Sequence, residues 1–170
     1  MGGNARHLLA ALILISWIAL LGPWPPGGLA QGPPPVFSTW EGFEADKCAS
    51  IWLIKRFVHK DAVIRFYPKG EPIREGIPFD TPDAKLRRYH SFSTFESILK
   101  EYRLDDPKLV YLGKIIHDIE INVWEVKRMK ESREVEAVVQ KVLASAARKE
   151  DVVEQSCRYF DGLYDGISVP

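Results

Sequence analysis

The sequence predicts an α+β fold: a single, mostly helical domain of about five helices with a small antiparallel or mixed sheet. Three observations indicate this class. Apolar residues recur at three- and four-residue spacing in several long segments, which is typical of helices buried on one face. Short β-branched and aromatic runs end at breaker residues, which is typical of strands. A chain of 170 residues is long enough for one domain with a hydrophobic core.

The first 30 residues are typical of a secretory signal peptide. Arg6 supplies a positive charge, residues 8–21 form an apolar run, and residues 28–30 offer small side chains for cleavage. The apolar run is about 14 residues long, shorter than the roughly 20 residues that a membrane-spanning helix needs. We therefore expect cleavage after Ala30, a periplasmic or secreted protein, and no stable membrane span. The alternative is an uncleaved membrane anchor.

Residues 31–39 are predicted to be a proline-rich linker, and residues 40–170 the domain. Pro33, Pro34 and Pro35 exclude a helix and favour an extended backbone. The 23 basic residues balance the 23 acidic residues, so the chain lacks the basic excess that is typical of nucleic-acid binding. We expect no nucleic-acid partner. The sequence leaves the oligomeric state open.

The predicted sheet has one strong strand and two weaker candidates. Residues 63–68 combine β-branched and aromatic side chains with a final proline, a pattern typical of a strand. Residues 76–80 and 86–89 are the weaker candidates. The sequence Thr81-Pro82-Asp83 between them is typical of a turn.

The first two predicted helices have recognisable starts. Asp46 is a candidate N-cap of the first helix. The unbroken apolar run at residues 51–54 indicates that this helix is buried on more than one side. Ser93 and Glu96 form a capping box, which predicts that the second helix begins there.

Three further helices complete the predicted fold. Asp106 is a candidate N-cap of the central helix, and Pro107 stands at the first helical position, where proline is favoured. The buried face of the central helix is predicted to consist of Leu109, Leu112, Ile116 and Ile119. The fourth helix is predicted to begin at Glu131 or Ser132. The fifth is predicted to end near Gly162 or Gly166, and its buried face to consist of Val153, Cys157, Phe160 and Tyr164.

The chain has two cysteines, Cys48 and Cys157. In an exported protein an even count allows one disulfide bond, which would stabilise the fold by roughly 4 to 5 kcal/mol in the chain-entropy model. The alternative is two buried free thiols, because both residues lie in apolar periodic segments. The sequence contains neither a Cys-x-x-Cys motif nor a Cys/His zinc pattern.

The central helix carries the three strongest candidates for functional residues: His117, Asp118 and Glu120. At about 100° per residue, His117 and Glu120 lie on one side, whereas Asp118 points away and can reach Lys114. An imidazole and a carboxylate at this spacing can share a divalent metal ion, or the carboxylate can orient the imidazole. The alternative is a helix whose polar face ends in a charged patch. A metal ion would need a further ligand from elsewhere, and His90 or Asp46 is of the right type.

Two stretches together resemble a known family. Residues 46–57, Asp-Lys-Cys-Ala-Ser-Ile-Trp-Leu-Ile-Lys-Arg-Phe, are similar to the Asp-Arg-x-Ala-Ser-x-Trp-Leu-Ile-Arg-Arg-Phe opening of the C-terminal domain of ChrB-type chromate-resistance proteins. Residues 115–120, Ile-Ile-His-Asp-Ile-Glu, resemble the Ile-Val-His-Asp-x-Asp motif of that family. Residues 77–80, 93–96, 104–107 and 160–164 follow in the family's order, so the resemblance covers the whole predicted domain.

The resemblance implies a role in chromate resistance and favours a functional site around His117. The chain departs from the family pattern at three positions, where Lys85, Arg88 and Ser93 replace an acidic residue, a histidine and a cysteine. If these groups hold a metal ion in relatives, this chain either uses His90 from a shifted position, binds the ion more weakly, or has lost the site. A signal peptide stands where longer relatives have a regulatory domain, so we do not expect a cytoplasmic repressor.

Three functional hypotheses follow. The leading one is an exported, chromate-resistance-related accessory protein that binds a small inorganic ion. The second is a metal-dependent or acid–base enzyme of the cell envelope, in which His117 is the base and Glu120 orients it. The third is a structural or interaction module with a degenerate site. The candidate residues are His117, Glu120, Asp118, His90 and Asp46 for a divalent metal ion, and Lys47, Arg87 and Arg88 for an oxyanion.

The signal peptide gives a first testable prediction. We expect the protein isolated from the cell envelope to begin at or near Gln31, because the small residues before it suit a signal peptidase. Intact mass spectrometry measures this directly. An envelope protein whose mass includes residues 1–30 would contradict cleavage and favour the membrane anchor.

Overall fold

The computed structural model describes residues 32–122 and 126–168. The predicted signal peptide lies outside the described residues. From Pro34 onward the described residues belong to one folded unit. None of the helices in the described part of the chain has the length and apolar character needed to cross a membrane.

The described residues form three strands and five α-helices. A short π-helical stretch, Ile54–Val58, extends the first helix. In chain order the elements are β1 (Val36–Trp40), α1 (Ala45–Leu53), β2 (Val63–Tyr67), β3 (Ile77–Pro78), α2 (Thr94–Tyr102), α3 (Pro107–Glu120), α4 (Ser132–Ser145) and α5 (Lys149–Gly166).

The α+β class is confirmed, but the predicted antiparallel or mixed pairing of the sheet is wrong. All three strands are parallel, in the order β2-β1-β3. The central strand β1 pairs with β2 from Val36 opposite Val63 to Trp40 opposite Tyr67. Most of β1 lies in the stretch predicted to be a linker, so the sequence patterns showed the two edge strands without the strand between them. Parallel neighbours need a crossover, and α1 provides it between β1 and β2.

The weak strand candidates had different outcomes. Residues 76–80 contain β3, the short strand on the other side of β1. Residues 86–89 form no strand and contribute only isolated bridges, from Leu86 to Phe79 and from Tyr89 to Phe92. This stretch is therefore a loop held at two points, and it carries Arg87 and Arg88.

Helix α1 is the centre of the core. It packs against α2, α3, α4 and α5, and all nine of its residues are buried, as the unbroken apolar run predicted. The Trp52 ring lies 6.5 Å from Phe95 of α2, and 5.9 and 5.7 Å from Phe160 and Tyr164 of α5, measured between ring centroids. These aromatic contacts join three helices around one side chain.

Most predicted helix starts are confirmed. Ser93 and Glu96 form the capping box of α2, and Asp106 accepts hydrogen bonds from the amides of Lys108 and Leu109 at the start of α3. Glu131 is the N-cap position of α4, and α5 ends at Gly166. The predicted face of α3 is buried at all four positions: Leu109, Leu112, Ile116 and Ile119.

The two cysteines are free thiols, buried between α1 and α5, which is the second of the alternatives that the sequence left open. Burial raises the pKa of Cys48 to about 11, against a hydrogen bond with Ser156, and the neighbouring Cys157 acts in the same direction as burial. Burial also raises the pKa of Cys157. Because the thiolate is the reactive form, both groups should be slow to react in the folded protein.

Thiol titration tests this arrangement. Protein denatured without reductant should give two reactive thiols per chain, whereas native protein at neutral pH should give almost none on the same timescale. A thiol reagent that absorbs on reaction measures both numbers. Fewer than two thiols in the denatured, unreduced protein would contradict the free pair and indicate the disulfide bond.

Candidate functional site

Asp46 joins two helices. It was predicted to be the N-cap of α1, which is wrong, because Glu44 occupies that position and Asp46 lies in the first turn. The fully buried Asp46 carboxylate instead accepts hydrogen bonds from the backbone amides of Thr94, at 2.7 Å, and Phe95, at 2.8 Å. It therefore caps α2 from a neighbouring helix, satisfying amides that the helix itself leaves unpaired.

Lys47 and Asp80 lie next to Asp46 and, together with Glu120, form a buried cluster of charged side chains. The Lys47 ammonium is 3.3 Å from the Asp80 carboxylate and donates to the carbonyls of Trp40, at 2.9 Å, and Gly42, at 2.7 Å. Asp80 has a positive φ of 51°, and its carboxylate also accepts a hydrogen bond from the Thr94 hydroxyl at 2.8 Å. Lys47 is only 6% exposed, so its charge is used inside the protein.

Glu120 connects the end of α3 to the same cluster. One carboxylate oxygen accepts a hydrogen bond from the Asp46 amide at 3.3 Å, and the other lies 3.3 Å from the Arg88 guanidinium. The Glu120 side chain is 10% exposed, whereas that of Arg88 is 46% exposed. The ion pair therefore links a buried carboxylate to a cation that reaches the surface.

The buried carboxylates hold their protons more tightly than usual. Burial raises the pKa of Asp46 to about 8, and the Asp80 carboxylate acts in the same direction. Burial also raises the pKa of Glu120 to about 7, with Glu44 adding to the effect and Arg88 opposing it. The pKa of Glu44 is raised as well, first by burial and then by Asp80. Neutral pH therefore falls within the titration range of this cluster.

A cleft of about 590 Å³ lies beside the cluster. Arg87, Arg88 and His90 line it, together with Asp80, Thr81, Pro82 and Tyr89. The Arg87 guanidinium donates to the Pro82 carbonyl and lies 4.7 Å from the centre of the Tyr89 ring. Two predicted anion-binding residues, Arg87 and Arg88, thus meet at one surface cleft, whereas Lys47 is buried.

His117 has a partner on another helix. Its Nδ1 lies 2.9 Å from a carboxylate oxygen of Glu96 in α2, whereas Glu120 contacts Asp46 and Arg88. His117 and Glu120, which the helical spacing predicted to act together, therefore contact different residues. His117 lines a second cleft, of about 530 Å³, together with Glu96 and Lys114.

Asp118 binds the segment that joins α3 to α4. Its carboxylate accepts hydrogen bonds from the Ser132 hydroxyl, the Asn122 amide, and the backbone amides of Arg128 and Met129. Burial alone would raise the pKa of Asp118, but these hydrogen bonds outweigh burial and hold the pKa well below its usual range. All its acceptor capacity is used within the protein, and the predicted contact with Lys114 is not formed.

The predicted metal ligands are spread over several places. Asp46 and Glu120 lie in the buried cluster, His90 on the first cleft, and His117 on the second. Across residues 32–122 and 126–168, no group of three or more His, Cys, Asp or Glu side chains is arranged to hold a metal ion. The divalent metal site stays a prediction.

Sequence patterns missed three acidic residues of these sites. Glu96 was recognised only as a capping residue, and Asp80 and Glu44 were not singled out. Each acts through residues on another element, so spacing within one helix carries no signal of its partner. The one local signal was the capping box, which fixes the position of Glu96.

The described residues define an α+β domain in which helix ends meet at a buried cluster of carboxylates and cations. The family model for the ChrB C-terminal domain matches residues 37–167. Because this match covers most of the chain, the protein belongs to the ChrB C-terminal domain family, which relates it to chromate resistance and confirms the resemblance seen in the sequence. Neither the curated proteins nor the solved structures contain a match.

The cluster predicts a pH-dependent stability. Asp46 and Glu120 keep protons in the folded state at pH values where unfolded carboxyls have lost them, so the free energy of unfolding should fall as pH rises from about 5 to about 8. For Glu120, a rise in pKa from 4.5 to about 7 corresponds to on the order of 3 kcal/mol, at about 1.4 kcal/mol per unit. Urea unfolding at several pH values measures it.

Glu120→Gln should flatten part of this slope, because the amide does not titrate. Glu154→Gln is the matched control, since Glu154 is an exposed carboxylate paired with Arg158 on α5. It should leave the slope unchanged. A free energy of unfolding that stays constant or rises between pH 5 and 8 in the unsubstituted protein would contradict proton retention by the cluster.

Proposed function

We propose that this protein is an exported accessory protein of chromate resistance that binds an oxyanion in the cleft lined by Arg87, Arg88 and His90. The observation that carries the proposal is the convergence of these three side chains on one open cleft. Membership of the ChrB C-terminal domain family supports the link to chromate.

The donors suit a tetrahedral dianion. Guanidinium groups present several N–H donors in a fixed plane, and such charge-assisted hydrogen bonds are stronger than neutral ones. The imidazole of His90, which also lines the cleft, adds a further donor. At about 590 Å³ the cleft also admits water, so the anion need not be fully dehydrated on binding.

Lys47 has a supporting role in this proposal. Its ammonium has three partners and is buried, so we do not place it in contact with the anion. It offsets the charge of Asp80, which lines the cleft. Without Lys47, that carboxylate would repel an oxyanion.

Glu120 competes with the anion for Arg88. When Glu120 is ionised, its carboxylate neutralises the guanidinium at 3.3 Å. When Glu120 takes up a proton, which the pKa of about 7 allows near neutral pH, Arg88 is released for the anion. Oxyanion affinity should therefore rise as pH falls through the neutral range.

Calorimetric titration with sulfate tests the proposal, since sulfate remains a dianion across this range. We expect tighter binding at pH 6 than at pH 8. Arg87→Gln and Arg88→Gln should each weaken binding by roughly tenfold or more, because each removes a charge-assisted hydrogen bond. Glu120→Gln should strengthen binding at pH 8 toward the affinity at pH 6. Chromate should compete with sulfate for the same site.

Arg158→Gln is the matched control, because Arg158 is an exposed arginine of α5 paired with Glu154. It should leave sulfate binding unchanged. Equal affinity in the control and in the Arg88 variant, or no binding at either pH, would contradict the oxyanion site and favour the structural module. Stoichiometric metal in protein purified without a histidine tag would favour the divalent metal alternative.

A further inference from the structure

The second cleft contains a preorganised pair of side chains. The Nδ1 atom of His117 and a carboxylate oxygen of Glu96 are 2.9 Å apart. The same oxygen accepts a hydrogen bond from the Ser93 amide at 2.8 Å, so the carboxylate is held before it meets the imidazole. Because an ionised carboxylate only accepts hydrogen bonds, the imidazole must donate from Nδ1.

The crossing of α2 and α3 makes this pair possible. Gly113 lies one turn before His117, and a Cβ atom at that position would be 3.3 Å from Leu99 Cδ1 and 3.7 Å from Glu96 Cγ. The missing side chain lets the two helices approach closely. The contact between His117 and Glu96 is therefore fixed by backbone packing as well as by the hydrogen bond.

The orientation of the imidazole decides which atom is available. With its proton on Nδ1, the neutral ring carries a lone pair on Nε2, and this is the form that accepts a proton from a reacting group. The His117 side chain is 37% exposed and lines a cleft of about 530 Å³, a volume typical of small-molecule sites. His117 is therefore both oriented and accessible.

The other residues of this cleft limit the chemistry. The carboxylates of Glu96 and Asp118 also line this cleft, and both already accept hydrogen bonds from neighbouring groups. Lys114 lies one turn before His117 on the same helix, is exposed, and forms no ion pair with the described residues, so an anionic group is favoured beside its ammonium. Among the described lining residues there is neither a hydroxyl nor a thiol nucleophile. A base at this position would act on water rather than on a nucleophile of the protein.

We propose that His117 and Glu96 form a general-base pair that hydrolyses small anionic esters in this cleft. Nε2 of His117 takes a proton from water while the water oxygen bonds to the ester carbonyl carbon. The bond to the leaving oxygen then breaks, and the imidazolium returns the proton to that oxygen. Glu96 orients the imidazole and acts as a positioning residue, and Lys114 binds the negative group of the ester.

Two matched esters test this site in the full-length mature protein. The 4-nitrophenyl monoester of succinic acid carries a carboxylate, and 4-nitrophenyl butyrate is a neutral ester of similar size. We expect hydrolysis of the anionic ester at a higher kcat/KM, and Lys114→Gln should remove most of this preference. His117→Ala should lower kcat by roughly 100-fold, whereas His59→Ala should leave it unchanged.

The kinetics of a Glu96 variant distinguish a positioning role of this residue from a purely structural one. Glu96→Gln should lower kcat on the order of tenfold or more and leave KM nearly unchanged, because the amide holds the imidazole without stabilising the imidazolium. Asp106→Ala also removes a helix-capping side chain and serves as the control for lost stability. It should retain the kcat of the unsubstituted protein. Hydrolysis that is equal in the His117 and His59 variants, or equally lowered by the Asp106 and Glu96 substitutions, would overturn the proposal.

Discussion

The described structure depends on the buried carboxylate of Asp46. The end of α3 caps α1, because Glu120 accepts a hydrogen bond from the Asp46 amide, and the Asp46 side chain in turn caps α2. Each cap places a carboxyl oxygen that accepts hydrogen bonds at a helix N-terminus, where backbone amides lack partners within the helix. The first helix is therefore held to two helices far along the chain by two carboxyl groups, at a point where burial makes each unpaired polar group costly.

The position of α2 sets both clefts. Its first turn holds the Thr94 hydroxyl against Asp80, next to the arginine-lined cleft, and holds Glu96 against His117 in the other. A change in the Asp46 cap would therefore disturb two surfaces that share no lining residue. Because both clefts depend on α2, a substitution that alters ligand binding at both clefts acts through α2. A substitution that alters binding at one cleft acts through the side chains of that cleft.

Local patterns predicted the local parts of the fold. The capping box at Ser93 and the proline-led start of α3 follow from interactions within a few residues, and the β-branched and aromatic composition of β2 favours a strand by itself. The parallel sheet and the role of Asp46 could not be predicted in this way, because β1 pairs with residues 27 and more positions away and Asp46 contacts amides 48 and 49 positions away. For His117, helical spacing offered Glu120, whereas packing across α2 and α3 supplied Glu96.

The placement of the central strand has a consequence for where the domain begins. The family resemblance in the sequence starts near Trp40, but β1 starts at Val36 and is paired on both sides. A shortened protein that began at Trp40 would keep every resembling motif and yet lose the strand between β2 and β3, leaving two edges with no hydrogen-bond partner. The stretch marked by the resembling motifs is thus shorter at its N-terminal end than the sheet requires, whereas the family match, which starts at residue 37, takes in nearly all of β1.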